Sequence, residues 1–276
     1  MDNAVLVSYS VSRWNNVRTD KKVTREIAEA KGVNSRVGRY QKQLIDSPLY
    51  KAITDAGQYG RDKFYAYTLP WQHGVSVVNV KALDVLRDEI GKAEALFSDA
   101  VDAFIDAWPS LVENARETLG PLFKADDYPE AHQVREKFGI SFQVMPIARD
   151  AHFDGIADIV GTEVAQELAD KLNANQQKQW ASATRSVWQR LYDALKHAQD
   201  KLAFGQRIYE SDLGNLRELA DLLPVLNVSD DPDLEERRKE LNALLAMYST
   251  QAVKDDKATR KQCAADVGGI LSKLNL

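Results

Sequence analysis

Between Asn79 and Trp108, apolar residues recur at Leu83, Leu86, Ile90, Ala93, Phe97, Val101, Phe104 and Trp108, always three or four positions apart. The mean step is about 3.6 residues, the period of an α-helix, so all eight side chains share one stripe of a long amphipathic helix. Such a stripe has to be covered. At about 1.5 Å per residue the helix makes a rod of roughly 45 Å, which is expected to outrun a small core and pair with another long helix or a neighbouring subunit. The opposite face carries Asp84, Asp88, Glu94, Asp99, Asp102 and Asp106 and reads as a solvated surface. Pro109 interrupts the pattern, and in a straight helix interior it would cost about 3 kcal/mol or more, so a kink or a fresh start is expected there.

The segments around this helix supply a small sheet. Residues 4–12 alternate Val5, Val7, Tyr9 and Val11 with Leu6 and three serines, a strand pattern with one apolar face. Two further strands are expected, one at Val75–Val78 and one at Ile140–Met145, with Pro146 ending the latter or leaving it on an edge. Thr24 is a candidate cap for a short helix that Gly32 would stop. Ser47-Pro48 opens another, with Leu49, Ile53 and Ala56 on its buried face, and Gly57 and Gly60 are expected to fray or end it. Gly120-Pro121 closes the element after Pro109, and a helix with Ala131 and Val134 follows, stopped by Gly139. Beyond Ala148 helical spacing takes over. Thr162 caps a helix, the tract NANQQKQ is either a loop or an exposed turn of one long helix, and Leu-rich helices open at Ser211 and Asp231-Pro232 before a last one through Val267, Ile270, Leu271 and Leu274.

The expected fold is therefore α+β and predominantly α-helical, a long antiparallel helical hairpin or bundle with a small antiparallel β-sheet. Residues 1–148 would hold the sheet and the long helix. Residues 160–276 would form a helical region, either separate or packed onto the first as one domain.

Composition limits the chemistry. With 276 residues, 44% of them hydrophobic, the chain can bury a sizeable core, and its single cysteine, Cys263, excludes an intramolecular disulfide and a multi-thiolate zinc site. No run of about 18 apolar residues is present, and the stretch MDNAVLVSYSV lacks a basic leader and has too short and Ser-rich an apolar run for a signal peptide, so a cytoplasmic protein with no membrane contact is expected. The net charge of −5 conceals an asymmetry: Arg13 to Lys63 holds twelve Lys or Arg against six Asp or Glu, and Lys81 to Glu130 holds five against twelve. Either the two blocks attract each other, within the fold or between subunits, or the basic one faces phosphate.

Two segments carry a family resemblance. LVSYSVSRWNNVR, an apolar strand followed by Ser-x-Trp, and KFGISFQVMPI, a strand after the long helix, resemble the opening and the mid-chain strand of domain-of-unknown-function family 3150 over residues 5–148. That resemblance implies a protein of bacteriophages, plasmids or integrative elements, encoded near MoxR-type AAA+ ATPases, von Willebrand factor A proteins or recombination genes. It implies no catalytic residues.

The basic block supplies the candidate site: Arg13, Trp14, Arg18, Lys21, Lys22, Arg25, Arg36, Arg39, Tyr40 and Lys42, with Tyr59, Tyr65, Tyr67 and Trp71 nearby. Cations along a backbone and aromatic faces for stacking are what single-stranded nucleic acid requires. Asp150, His152, Asp154 and Asp158 form a local set of potential metal ligands, but their spacing fits no defined loop, and solvated acids are the plainer reading. His73, His132 and His197 are scattered, and Walker A, GxGxxG and HExxH sequences are missing, so no cofactor, metal or catalytic residue is expected. The expected function is a non-enzymatic helical adaptor or assembly protein of a phage or mobile element, working with a MoxR-type AAA+ ATPase or recombination machinery. It would bind a protein partner or a second copy through its long helices. Single-stranded DNA binding is the alternative, and a metal-dependent enzyme comes third.

Overall fold

The computed structural model describes residues 3–149, 153, 155–204 and 210–274. In chain order the elements are β1 (Ala4–Ser12), β2 (Val17–Thr19), α1 (Lys21–Lys31), β3 (Gln41–Gln43), α2 (Pro48–Tyr67), β4 (Leu69–Gln72), β5 (Val75–Asn79), α3 (Val80–Asp106), α4 (Trp108–Leu119), α5 (Ala131–Arg135), β6 (Gly139–Met145), α6 (Ala157–Val160), α7 (Thr162–Ala203), α8 (Glu210–Leu226), α9 (Pro232–Met247), α10 (Thr250–Asp255) and α11 (Lys257–Leu271). The fold is α+β and predominantly helical. One sheet runs β4-β5-β1-β6, antiparallel where β5 meets β1 (Val7 opposite Ser76) and β4; a two-stranded ribbon pairs β2 with β3. Strand β6 lies at one edge of the sheet and ends at Met145, directly before Pro146.

The chain divides into two compact units, one of Met1–Ser8, Phe64–Arg87 and Gln143–Leu276, the other of Tyr9–Lys63 and Asp88–Phe142. The division does not fall at residues 148–160, where composition changes, because sheet strands from the front of the chain belong with the helices at its end.

In the first unit, Ala183, Val187, Leu191, Leu195, Ala198 and Leu202 of α7 pack with Leu213, Leu216 and Leu223 of α8, Leu241 and Leu244 of α9, and Cys263 and Val267 of α11, over Leu69, Trp71 and Val77 of the sheet. Helix α7 is continuous over 42 residues, so the NANQQKQ tract is helix and not loop. Arginines finish several helix ends: Arg190 donates to the carbonyls of Tyr65 (3.0 Å) and Thr68 (2.8 Å) at the end of α2, and Arg217 donates to that of Tyr248 (3.0 Å) after α9. A cation there complements the negative end of the helix dipole. Burial lowers the Arg190 pKa from its ordinary value.

In the second unit the core is aromatic. Trp14 meets Trp108 edge-on at 5.2 Å between centroids, and Tyr50, Phe104 and Phe138 continue the contact. Helix α3 ends at Asp106, and Trp108-Pro109 starts α4 afresh, as a proline at the first helical turn allows. Leu86, Ile90, Ala93, Phe97, Val101, Phe104 and Trp108 are buried and Leu83 is half-buried, so the stripe is covered by the chain itself.

Two expectations about helix boundaries are corrected. Helix α1 is capped by Asp20, whose carboxylate accepts from Lys22 N (2.9 Å) and Val23 N (3.2 Å), while the Thr24 hydroxyl donates to Asp20 O (2.6 Å). Helix α2 runs unbroken past Gly57 and Gly60 to Tyr67. Both glycines are points of close approach: a Cβ at Gly57 would sit 3.2 Å from Val11 Cγ1, and one at Gly60 would lie 2.9 Å from Ala93 Cβ and against the Tyr9 hydroxyl. Tertiary contact outweighs the roughly 1 kcal/mol that each glycine loses in helix propensity.

A candidate nucleic-acid interface

Residues 17–43 form a small lobe of β2, α1, a loop and β3. Its neck is fastened by Asn16, whose side chain donates to Ile45 O (2.6 Å) and accepts from Ile45 N (2.7 Å). Antiparallel pairing places Arg18 opposite Lys42. At the start of α1, Asp20 N donates to Tyr40 O (3.0 Å) and Tyr40 N donates to the Thr24 hydroxyl (2.9 Å), which joins the helix to the ribbon. Gly32, at φ 63°, ends α1 in the left-handed conformation that spares glycine a Cβ clash. The Asn34 side chain then accepts from Arg36 N (2.9 Å) and its carbonyl from Val37 N (3.0 Å), a turn that presents Arg36 at its tip.

The ten candidate residues separate into two groups. Arg13, Lys21, Lys22, Arg25, Arg36 and Arg39 are exposed, and all but Arg13 lie on the lobe. Among the described residues their only ion pair is Lys22 with Glu26 on the same helix, at 3.9 Å. The other four are taken up by the fold. Trp14 is a core residue and cannot stack on a base. Lys42, 3% exposed, points inward to Asp127 Oδ2 at 2.8 Å, and half-buried Arg18 approaches the same carboxylate at 3.9 Å. Tyr40 is half-buried and serves through its backbone. Of the aromatics further along, Trp71 lies in a core against Trp180, Tyr59 donates its hydroxyl to Glu89, and only Tyr65 is largely exposed. The stacking half of the expected site is therefore absent from the lobe, and its cationic half is present.

Lys31, exposed in the last turn of α1, belongs with the six cations, and its place in the basic run was the available signal. The exposed Ile27, Val33 and Val37 beside them gave no such signal, because a lone aliphatic on a short helix or in the loop after it looks like core.

The start of α1 is cationic, and the exposed Glu26 and Glu29 follow further along the same helix. Helix α1 has no acidic residue in its first turn, yet Lys21 and Lys22 stand there and Arg25 follows. Cations at the positive end of a helix dipole oppose helix stability, so they raise the local potential at a cost to the helix. Asp20 restrains this end: the Val23 N–H, then the Lys124 ammonium at 3.2 Å and the Lys22 N–H, hold its carboxyl below the usual carboxylate range. Beneath the lobe, burial pushes the Tyr128 hydroxyl up to about 12, with the Asp127 charge adding to it.

No group of three His, Cys, Asp or Glu converges on a metal-binding geometry among the described residues. Of the four metal-ligand candidates, Asp150, His152 and Asp154 lie outside the described residues, and Asp158 falls in the short helix α6. No described helix is long and apolar enough to cross a membrane. Comparison of the chain with protein-family models, with curated proteins and with solved structures finds no match.

Proposed function

We propose that the protein is a non-enzymatic nucleic-acid-binding component of a larger assembly, contacting the phosphate backbone through Lys21, Lys22, Arg25, Arg36 and Arg39. The observation that carries this reading is the cluster of exposed cations at the unfavourable end of α1 and on the adjoining turn. Contacts of that kind are sequence-independent and salt-sensitive. With Trp14 in the core, affinity is expected to come from charge and not from base stacking.

The test is anisotropy of a labelled single strand and of a duplex. Binding at about 50 mM salt should fall steeply by about 200 mM, with a logarithmic slope near 0.7 to 0.9 for each phosphate neutralised. Changing Arg36 and Arg39 to alanine should reduce that slope by one to two units. No binding at the lower salt overturns the reading.

The setting proposed is the one the family resemblance implies, a cytoplasmic protein of a phage or mobile element acting beside a MoxR-type ATPase or recombination proteins. In the adaptor reading the contact would use surfaces other than the stripe, which the core already covers. Exposed Ile27 (46%), Val33 (53%) and Val37 (75%) are what favour it. Pull-down of a co-encoded ATPase that resists nuclease treatment would support that reading over nucleic-acid binding.

A further inference from the structure

The opposite charges of the two sequence blocks are mostly not satisfied within the fold. Lys42 and Arg18 turn to Asp127, and Lys124 turns to Asp20. Lys63, 4.0 Å from Glu89, is the one residue of the basic block that forms an ion pair with α3 among the described residues. Among the described residues Arg36 and Arg39 form none, and neither do Asp99 and Asp106, so both a basic and an acidic set of side chains stay exposed.

Each surface also carries apolar side chains in water. On the lobe, Ile27, Ala28, Val33, Val37, Arg39 and Tyr40 line a groove of about 250 Å³. On α3, Asp88, Asp99 and Asp106 are exposed and fall within about 20° of one another around the helix, forming a ridge roughly 27 Å long. Leu96, 52% exposed, stands beside that ridge. The aliphatic groove, with Arg39 in its lining and Arg36 in the same loop, is thus matched by a face of carboxylates and a leucine on which the one intervening cation, Lys92, is tied to Glu89 at 2.6 Å.

We propose that the partner of the lobe groove is a second copy of this chain, which lays the Asp88–Leu96–Asp99–Asp106 face of α3 over Ile27, Val33 and Val37. The contact is small, so it is weak and salt-sensitive, and it closes as a dimer or continues as an open series according to how the two faces are disposed. The proposal does not rest on nucleic-acid binding, although the two would compete for Arg36 and Arg39.

The experiment is sedimentation of the nuclease-treated full chain at high protein concentration, at about 50 and about 300 mM salt. Self-association is expected at low salt and should weaken about tenfold or more at high salt. Two charge variants are made at exposed positions, R36E/R39E on the lobe and D99K/D106K on the ridge. Each should be monomeric alone, and an equimolar mixture of the two should associate again, because each supplies the complement of the other. A third variant, Val37→Ser, should weaken self-association and leave oligonucleotide affinity unchanged, which separates this contact from the nucleic-acid reading. A wild-type chain that is monomeric at low salt, association that survives either charge variant, or a mixture that stays monomeric overturns the proposal.

Discussion

The ammonium of Lys42 lies 2.8 Å from Asp127 Oδ2, with the lysine side chain 2% exposed and the aspartate 19%. A residue that reads in the sequence as one more cation of a phosphate-binding run is thereby the internal tie between β3 and the turn after α4. Removing one partner strands a poorly solvated charge, which in buried pairs costs about 3 to 5 kcal/mol. Lys42→Ala and Asp127→Ala should each lower unfolding free energy by that order in urea. The paired change Lys42→Met with Asp127→Asn should cost much less than the sum.

The two glycines Gly60 and Gly91 predict opposite outcomes for the same substitution. Both sit inside helices, but a Cβ at Gly60 collides with Ala93 Cβ and the Tyr9 hydroxyl, and nothing lies within 4 Å of one at Gly91. Gly60→Ala should destabilise by about 1 to 3 kcal/mol despite better helix propensity. Gly91→Ala should stabilise by up to about 1 kcal/mol. Thermal denaturation of the two variants decides it.

Arg190 donates to two backbone carbonyls at the end of α2, and Arg190→Ala leaves both without that donor. Hydrogen bonds from charged donors are worth about 1.5 to 3 kcal/mol each, so a loss of at least about 2 kcal/mol is expected. Arg190→Lys should recover only part of it, since a point-like ammonium cannot span both oxygens as the guanidinium fork does. Comparing the denaturant midpoints of the three proteins tests this.

Acid should loosen the start of α1. The Asp20 carboxyl has a lowered pKa in the folded chain, so its stabilisation is complete above the unfolded carboxylate range near pH 4 and is lost as pH falls through the lower folded value. Amide exchange of α1 should accelerate as pH drops below about 4, once the intrinsic pH dependence of exchange is corrected for. Asp20→Asn, which keeps an acceptor but no charge, should show that faster exchange already at neutral pH and little further change on acidification.

Cys263 reports on the core of the first unit. Burial, and then the charge of Asp266, push its thiol up to about 11. A raised folded value means that the contribution to stability is whole below the unfolded thiol range near 8.5 and declines as pH rises towards 11. At pH 8 a thiol-reactive reagent should label Cys263 only as fast as the chain opens, and denaturant should make labelling immediate.

Much of the architecture was legible in local pattern. The α3 stripe, the fresh start at Pro109, the stop at Gly32, the start at Ser47-Pro48 and the edge strand before Pro146 all follow from periodicity and from the backbone limits of proline and glycine. Strands β2, β3 and β4 were not legible, because three or four residues show no period and exist only through their pairing partners. The Gly57 and Gly60 positions misled for a related reason: propensity speaks of an isolated helix, and here Tyr9, Val11 and Ala93 are close enough to exclude a larger side chain.

The candidate site divides in the same way. Amino-acid order by itself determined that cations crowd residues 13–42, that acids crowd the long helix, and that the helix has one apolar stripe, since charge and helical period are properties of the chain read locally. Only the tertiary structure decided that Trp14 and Lys42 face inward while Arg36 and Arg39 face water, and that the stripe is filled from within. Burial depends on what distant segments bring to the same place: Trp108, Tyr50 and Asp127 are the residues that claim Trp14 and Lys42, and none of them is a neighbour in sequence.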